Sequence, residues 1–313
     1  MSFHVSKTIA AALAVALMTP LAACGTSDGS DAASGDGGSG STSSDIQGFD
    51  TSSIKKDDEI AALLPESVTK DGVLTVGADT STPPAEFLAS DGKTPVGFSV
   101  DLSKAMAALF GLKEQTISST FDSIIPSVGS KYDLGISSFT ITKDRLAAVD
   151  FVSYFKAGST YVVRKGNPKN ISTDDLCGLK AAVQTGTTQE SELDKANAKC
   201  KAAGKDEIDV QSSKLLTDVT TAVASGKADI IYTDSPVAGY AIKQTGGELE
   251  ALGEDVGVAP YGIVIKKGDA KTAEAVSKAM QKLMDDGTYG KILDTWGVKS
   301  GALDKAEIDP AAE

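Results

Sequence analysis

From about residue 71 onward the apolar positions follow two alternating rhythms. Short apolar runs closed by Gly or Asp read as strands: DGVLTVGAD (71–79), YDLGI (132–136), LKAAVQTG (179–186) and ADIIYTD (228–234). Between them lie helical patterns. GFSVDLSKAMAALFGL (97–112) places Leu102, Met106, Leu109 and Phe110 at spacings of three and four, with Gly111 as a stop. TTQESELDKANAKCKAAG (187–204) and DVTTAVASG (218–226) read as further helices, and TAEAVSKAMQKLMDDGTYGKILDTWG (272–297) as an amphipathic helix followed by a shorter one. This βαβα rhythm predicts an α/β fold with helices covering the strands. The rhythm occurs in two blocks, and YVVRKG (161–166) and VAPYGIVIKKG (258–268) read as chain crossings between two lobes. The polar tail after Trp296 is expected to fray.

The N-terminal pattern is different. MSFHVSKTIAAALAVALMTPLAAC carries Lys7, an apolar run from Ile9 to Met18 and small residues before Cys24. The run is too short to cross a hydrocarbon core of ~30 Å, so it reads as a secretory signal. Leu21-Ala22-Ala23-Cys24 resembles the bacterial lipobox, which implies cleavage before Cys24 and acylation of that cysteine. From Gly25 to about Ser53 the chain is rich in Gly, Ser and Asp, with too few large apolar groups to offset ordering entropy, and reads as a flexible leash. Two or three acyl chains would hold the protein on the extracytoplasmic face of the cell membrane. No later span is apolar enough for a membrane, so the sensor ectodomain of a membrane-spanning protein is not expected, while a role as the ligand-presenting partner of a separate sensor stays open.

Charge and cysteine content narrow the picture. A formal net charge of -13 excludes the basic footprint that nucleic-acid binding requires. With Cys24 assigned to lipid, Cys177 and Cys200 remain, an even number in an oxidising compartment. They read as a disulfide, with two buried free thiols as the alternative. His4, inside the signal, is the only histidine, so the mature chain has no imidazole for acid–base work or metal binding, and neither cofactor nor metal is expected.

The chemistry concentrates in SSFTITKDR (137–145). A free amino acid presents a carboxylate and an ammonium close together, and burying both requires donors for one and an acid for the other. Arg145 can give two parallel hydrogen bonds to a carboxylate. Ser137, Ser138 and Thr140 sit at a strand's exit, where open α/β sheets bind ligands. In QTGTTQ (184–189) the backbone N–H groups of Thr187 and Thr188 stand at a helix start and can meet an anion. Asp234, ending a strand, can pair with the ammonium. Taken singly, a strand-end Ser, Thr or Asp is a cap or turn former and an isolated Arg a solvated charge. Their order along the chain favours a clamp for an amino acid.

In that order the chain resembles the family 3 solute-binding proteins, the polar amino-acid-binding proteins of bacterial ABC importers. The resemblance spans about Asp71 to Val298 and rests on DGVLTVGAD, PPAEF, DGKTPVGFSVDL, FDSIIPSV, YDLGISSFTITKDR, VDFVSYF, LKAAVQTGTTQE, ADIIYTD and DDGTYGKILDTWG. It implies a two-lobed fold of the periplasmic-binding-protein type II kind, each lobe a mixed β-sheet flanked by helices, with two crossover segments. The implied organisation is a signal at 1–23, lipidated cysteine and linker at 24–65, one lobe from 66–159 and 259–300, the other from 160–258, and a tail at 301–313. It further implies Arg145, in the T-x-x-R motif, as carboxylate receptor and Asp234 as ammonium receptor. Ser137, Ser138, Thr140, Gln184, Thr187 and Thr188 are implied as further ligand contacts, with Phe121 stacking on the ligand side chain and Asp79 at the family's first-strand aspartate.

One departure bears on the ligand. The family often reads Y-P-P-F-E-F where this chain has Thr82-Pro83-Pro84-Ala85-Glu86-Phe87, so Thr82 replaces one ring and only Phe121 remains to stack. Asp79 and Glu86 can receive a cationic side chain, while Asp79 reads equally as a turn residue, and the ligand stays open among cationic amino acids, glutamine and glutamate. The implied partners are a free polar amino acid and the permease and ATPase of an importer, with the protein acting as a monomer. The rival is an enzyme on the same scaffold, since small dehydratases resemble these binders.

Overall fold

The structure, a computed structural model, describes residues 48–312. The expected signal, Cys24 and most of the leash lie outside the described residues. Strands are β1 (Val73–Ala78), β2 (Ser81–Thr82), β3 (Glu86–Leu88), β4 (Pro95–Val96), β5 (Lys113–Ser118), β6 (Leu134–Thr140), β7 (Val149–Arg164), β8 (Lys180–Gln184), β9 (Asp209–Ser213), β10 (Ile230–Asp234) and β11 (Leu249–Lys266). Helices are α1 (Asp58–Ala61), α2 (Glu66–Thr69), α3 (Phe98–Phe110), α4 (Phe121–Ile124), α5 (Lys143–Ala148), α6 (Thr188–Ala202), α7 (Leu216–Ala224), α8 (Ser235–Gln244), α9 (Ala270–Asp285) and α10 (Thr288–Thr295).

The main sheet runs β5-β1-β6-β11-β7-β10-β8-β9, and β2-β3-β4 form a small antiparallel one. Two long strands tie the halves together. At its N-terminal end β7 pairs with the C-terminal end of β11 (Val149 with Lys266, Phe155 with Tyr261), and past Ser159 it pairs with β10 as well. One lobe therefore holds β1, β5 and β6, the other β8, β9 and β10, each a mixed sheet. The crossings expected at 161–166 and 258–268 fall slightly earlier on both strands. β7 gains its second-lobe partner at Ser159, and β11 loses regular register between Leu252 and Gly262. Bulges there bend both strands at the junction.

Each lobe buries its own core. In the first lobe α3, α9 and α10 cover one face through Leu102, Met106, Met280, Leu283 and Ile292, while Phe121, Phe139, Phe151 and Val264 fill the other. In the second lobe Val162, Val219, Val223 and Ile231 cluster on one face, and Val183, Leu193, Ile208 and Ile230 on the other. Cys177 and Cys200 are joined by a disulfide with Cα atoms 5.6 Å apart. It closes a loop of 23 residues of sequence separation, worth ~3 kcal/mol in the loop-entropy account.

Both ends of the described chain depart from expectation. Residues assigned to the linker are folded: Phe49 and Ile54 pack on the first lobe, the Phe49 N–H donates to Asp101 Oδ2 at 2.7 Å, and Asp57 pairs with Lys282 at 3.0 Å. The tail does not fray. The N-terminal half of β7 is an edge of the first lobe's sheet, and unpaired edge groups invite mispairing. The tail satisfies them: Ser153 N–H donates to the Glu307 carbonyl at 2.9 Å and Phe151 N–H to Asp309 Oδ1 at 2.7 Å, with Ala306 buried. Removing residues 302–312 is expected to strip the Phe151 and Ser153 amides of protection in hydrogen exchange. Full protection without the tail would contradict this capping.

Candidate functional site

The site forms where strand ends of both lobes face each other. The first lobe contributes Thr82, Phe121, Ser137, Ser138, Thr140 and Arg145; the second contributes Gln184, Thr187, Thr188, Gln189, Leu216, Tyr232, Thr233, Asp234 and Val237, around a narrow cavity between them. Of the residues singled out in the sequence, ten line it together. Asp79 does not.

On the first-lobe side β6 continues through Thr140, because Phe139 and Thr140 pair with Gly262 and Tyr261 of β11. Ser137 and Ser138 are thus inside the strand rather than beyond its exit. Ser138 adopts φ 54°, a left-handed conformation that costs a non-glycine residue energy and clusters at functional sites. Thr142 then caps α5, its hydroxyl accepting from Arg145 N–H at 3.2 Å. That cap puts Arg145 in the first turn, where its side chain folds back over the Phe121 and Phe139 rings at 5.5 Å from each. Those rings stack on each other with centroids 4.5 Å apart. Arg145 also donates to the Thr140 carbonyl at 2.8 Å and, across the cleft, to the Gly186 carbonyl at 3.2 Å.

On the second-lobe side β8 ends at Gln184, and Thr187 caps α6 by accepting from Glu190 N–H at 3.2 Å. Thr187 and Thr188 stand at the helix start, where backbone N–H groups have no intrahelical acceptor and the dipole favours an anion. Gly186, at φ +82°, is a point of close approach between the lobes, since a Cβ there would come within 3.0 Å of Asp122 Cβ. Asp234 ends β10. Gln189 Nε2 donates to its Oδ1 at 2.6 Å and to Ser159 Oγ at 2.8 Å, a contact for which the sequence carried no signal, because 45 residues separate Gln189 from Asp234.

Charge is sparse in the cavity and comes from both lobes. Arg145 and Asp234 are the charged groups among the lining residues, and no ion pair within 4.0 Å joins either to a partner among the described residues. Burial lowers the Arg145 pKa to about 10 against the opposing pull of Asp234. Burial raises Asp234 to about 6, opposed by the Tyr261 hydroxyl, Gln189 and Arg145.

Behind Ser137 and Ser138 lies Glu86, fully buried, whose Oε1 accepts from their hydroxyls at 3.2 and 3.3 Å. Burial raises its pKa well above the carboxylate range, with the Asp79 charge adding to the rise and the Ser99 hydroxyl opposing it. Glu86 Oε2 and Thr82 Oγ1 are buried without a hydrogen-bond partner. Asp79 itself is spent elsewhere, accepting from Ser81 N–H, the Ser81 hydroxyl, Phe121 N–H and Gln184 Nε2.

The family model for bacterial extracellular solute-binding proteins, family 3, matches residues 74–299. The chain is a family 3 extracellular solute-binding protein. Residues 48–73 and 300–312, both packed on the first lobe, lie outside the match. This solute-binding protein is 35% identical to an arginine-binding protein of Corynebacterium glutamicum over 80% of this chain and 83% of the relative. Among solved structures it is similar to an ancestral arginine-binding protein bound to arginine (37% identity, TM-score 0.67, 72% of this chain and 98% of that one). The same ancestral protein is also known bound to glutamine. A further neighbour is an ancestral amino-acid-binding protein described as a precursor of cyclohexadienyl dehydratase (32% identity, TM-score 0.66, 75% and 99%). The named relatives are binding proteins, on the two-lobed fold seen here.

The Asp234 shift sets a sign. Its pKa is raised from 3.8 to about 6, so its contribution to stability is full below about pH 4 and is lost as pH rises through about 6. Relative to Asp234→Asn, the unliganded protein is expected to lose on the order of 3 kcal/mol of unfolding free energy between pH 4 and pH 7, at 1.36 kcal/mol per unit. Denaturant titrations at the two pH values measure it, and a constant difference would contradict the shift.

Proposed function

We propose that this protein is the amino-acid receptor of an ABC importer, held by a lipid on Cys24 at the extracytoplasmic face of the membrane. It acts as a monomer whose lobes, 66–159 with 259–300 and 160–258, close on one free amino acid for delivery to a permease and its ATPase. The observation that carries the reading is the pairing of Arg145 and Asp234 across the cavity without contact between them. Two opposite charges held out of water, each hydrogen-bonded but without a counter-charge in contact, are costly. A zwitterion supplies the counter-charge to each: its carboxylate meets Arg145 and the Thr187 and Thr188 N–H groups, and its ammonium meets Asp234. Both ends are engaged only when the lobes are together, which gives the ligand its differential affinity for the closed form.

For the side chain we propose a cationic group, with arginine first. The arginine-binding relatives support this, as does Thr82 Oγ1, a buried acceptor without a partner on the cavity wall. Phe121 offers the one ring of the usual sandwich, with Thr82 in place of the other. A receptor fits this cavity better than an enzyme does: Asp234 is the one carboxylate among the lining residues and is committed to the ammonium, and the Tyr232 hydroxyl is engaged by Glu192.

A thermal-shift screen of the purified protein against the proteinogenic amino acids and ornithine tests the reading. A ligand at 100 times its dissociation constant adds about 2.7 kcal/mol. Arginine, lysine or ornithine should respond most strongly. A response confined to glutamine or glutamate retires the cationic assignment, and no response retires the amino-acid assignment. Arg145→Ala should weaken binding by about 3–5 kcal/mol in calorimetry, the cost of leaving a buried partner charge uncompensated; unchanged affinity would remove Arg145 from the clamp.

A further inference from the structure

We infer that the molecule carries a second small-molecule site, a groove at the junction of the lobes that takes an aromatic carboxylate. The groove has a volume of ≈ 700 Å³ and shares no lining residue with the amino-acid cavity. Small-molecule pockets span ~300–1,000 Å³ and are mostly apolar with a few placed polar groups. The walls come from both lobes. Trp296, just after α10, stands on the first, and Gly239, Tyr240 and Lys243 of α8 stand on the second. Lys156 of β7 and Val258 of β11 come from the two long strands that join them.

The two rings are held in place by the protein itself. The Trp296 indole N–H donates to Asp101 Oδ2 at 2.8 Å, and the Tyr240 hydroxyl accepts from Gln244 Nε2 at 2.9 Å. Phe87 bridges the lobes between them, its ring centroid 5.7 Å from each. Fixed rings offer stacking area at little cost in ordering. The charge on the walls favours an anion. Lys156 and Lys243 are exposed and enter no ion pair among the described residues, in a chain whose net charge is -13. Asp255, the one acid on the wall, has Oδ1 engaged by the Thr160 hydroxyl. Two further features leave room for an apolar body. Gly239 lies in the middle of α8, where glycine weakens a helix, and a Cβ there would meet nothing within 4 Å, so no packed neighbour requires it. Val258 is 65% exposed on the same wall. Because the walls belong to different lobes, an occupant favours one arrangement of the lobes and thereby changes the affinity for the amino acid.

Trp296 is the only tryptophan in the chain, so its fluorescence reads the groove directly. Hydrocinnamate is titrated into the protein under selective tryptophan excitation, with the uncharged hydrocinnamamide as control. The expected result is a saturable change with a dissociation constant at or below about 1 mM, and binding of the amide weaker by about fivefold or more, the loss of two exposed charge contacts. Lys156→Gln combined with Lys243→Gln should bring the carboxylate down to the level of the amide and leave the amide unchanged. Gly239→Leu, which fills the open space and favours the helix, should weaken both. No saturable change in the wild type, equal binding of acid and amide, or binding that survives these substitutions overturns the proposal. Arginine is then titrated by calorimetry with and without saturating hydrocinnamate. Its affinity should differ by about threefold or more in the wild type and not in Gly239→Leu; equal wild-type affinities overturn the coupling between the sites. That coupling rests on the amino-acid reading above, so failure of the wild type to bind any amino acid would strike that reading, while the fluorescence titration decides the groove on its own.

Discussion

A guanidinium from one lobe and a carboxylate from the other face a single cavity without touching, and much of the molecule is arranged to keep them so. Arg145 is held by the Thr140 carbonyl and by two stacked rings, and Asp234 by Gln189. Had the two met, they would have formed an ion pair and the cavity would have had no charge left to offer. Kept apart, each has a desolvation cost that a partner of opposite sign offsets, and a free amino acid carries both signs on groups attached to one carbon.

That constraint explains the architecture around it. The groups must come from separate bodies, because the ligand has to enter before they can surround it, and the bodies must return to the same register each time. Two strands running through both lobes and bulged at the junction permit rotation there without loss of registry. Direct contacts between the lobes then define the closed position: Gln184 on Asp79, Arg145 on Gly186, and Lys214 on Asp122 at 3.0 Å. Gly186 is small because the lobes touch at that point.

Much of this could be read before folding was considered, and the boundary between what could and could not is physical. The strands and helices were legible wherever periodicity is local, as in α3, which runs from Phe98 to a left-handed Gly111. Arg145 and Asp234 were legible because a charged residue just past or at a strand end is a local pattern. Asp79 shows where local reading stops: its partners lie as far as 105 residues away in sequence, and nothing near it distinguishes a ligand contact from an interlobe one. Glu86 is similar, an acidic residue whose complete burial follows only from β3 lying against α3 and from the Ser137 and Ser138 hydroxyls of β6 that cover it. The tail looked loose because it is polar, yet an exposed strand edge needs hydrogen bonds rather than apolar surface, and polar backbone supplies them.

The central claim is that the cavity recognises both charges of a zwitterion at once. It is tested most directly by calorimetry with the amino acid that responds best, compared with its N-acetyl derivative, which lacks the ammonium, and its methyl ester, which lacks the carboxylate. Each blocked derivative leaves one buried protein charge unpaired, which typically costs 2–5 kcal/mol, so both should bind at least about thirtyfold more weakly than the free amino acid. A blocked derivative that binds as tightly as the parent would show that Arg145 or Asp234 does not hold the ligand, and would contradict the account.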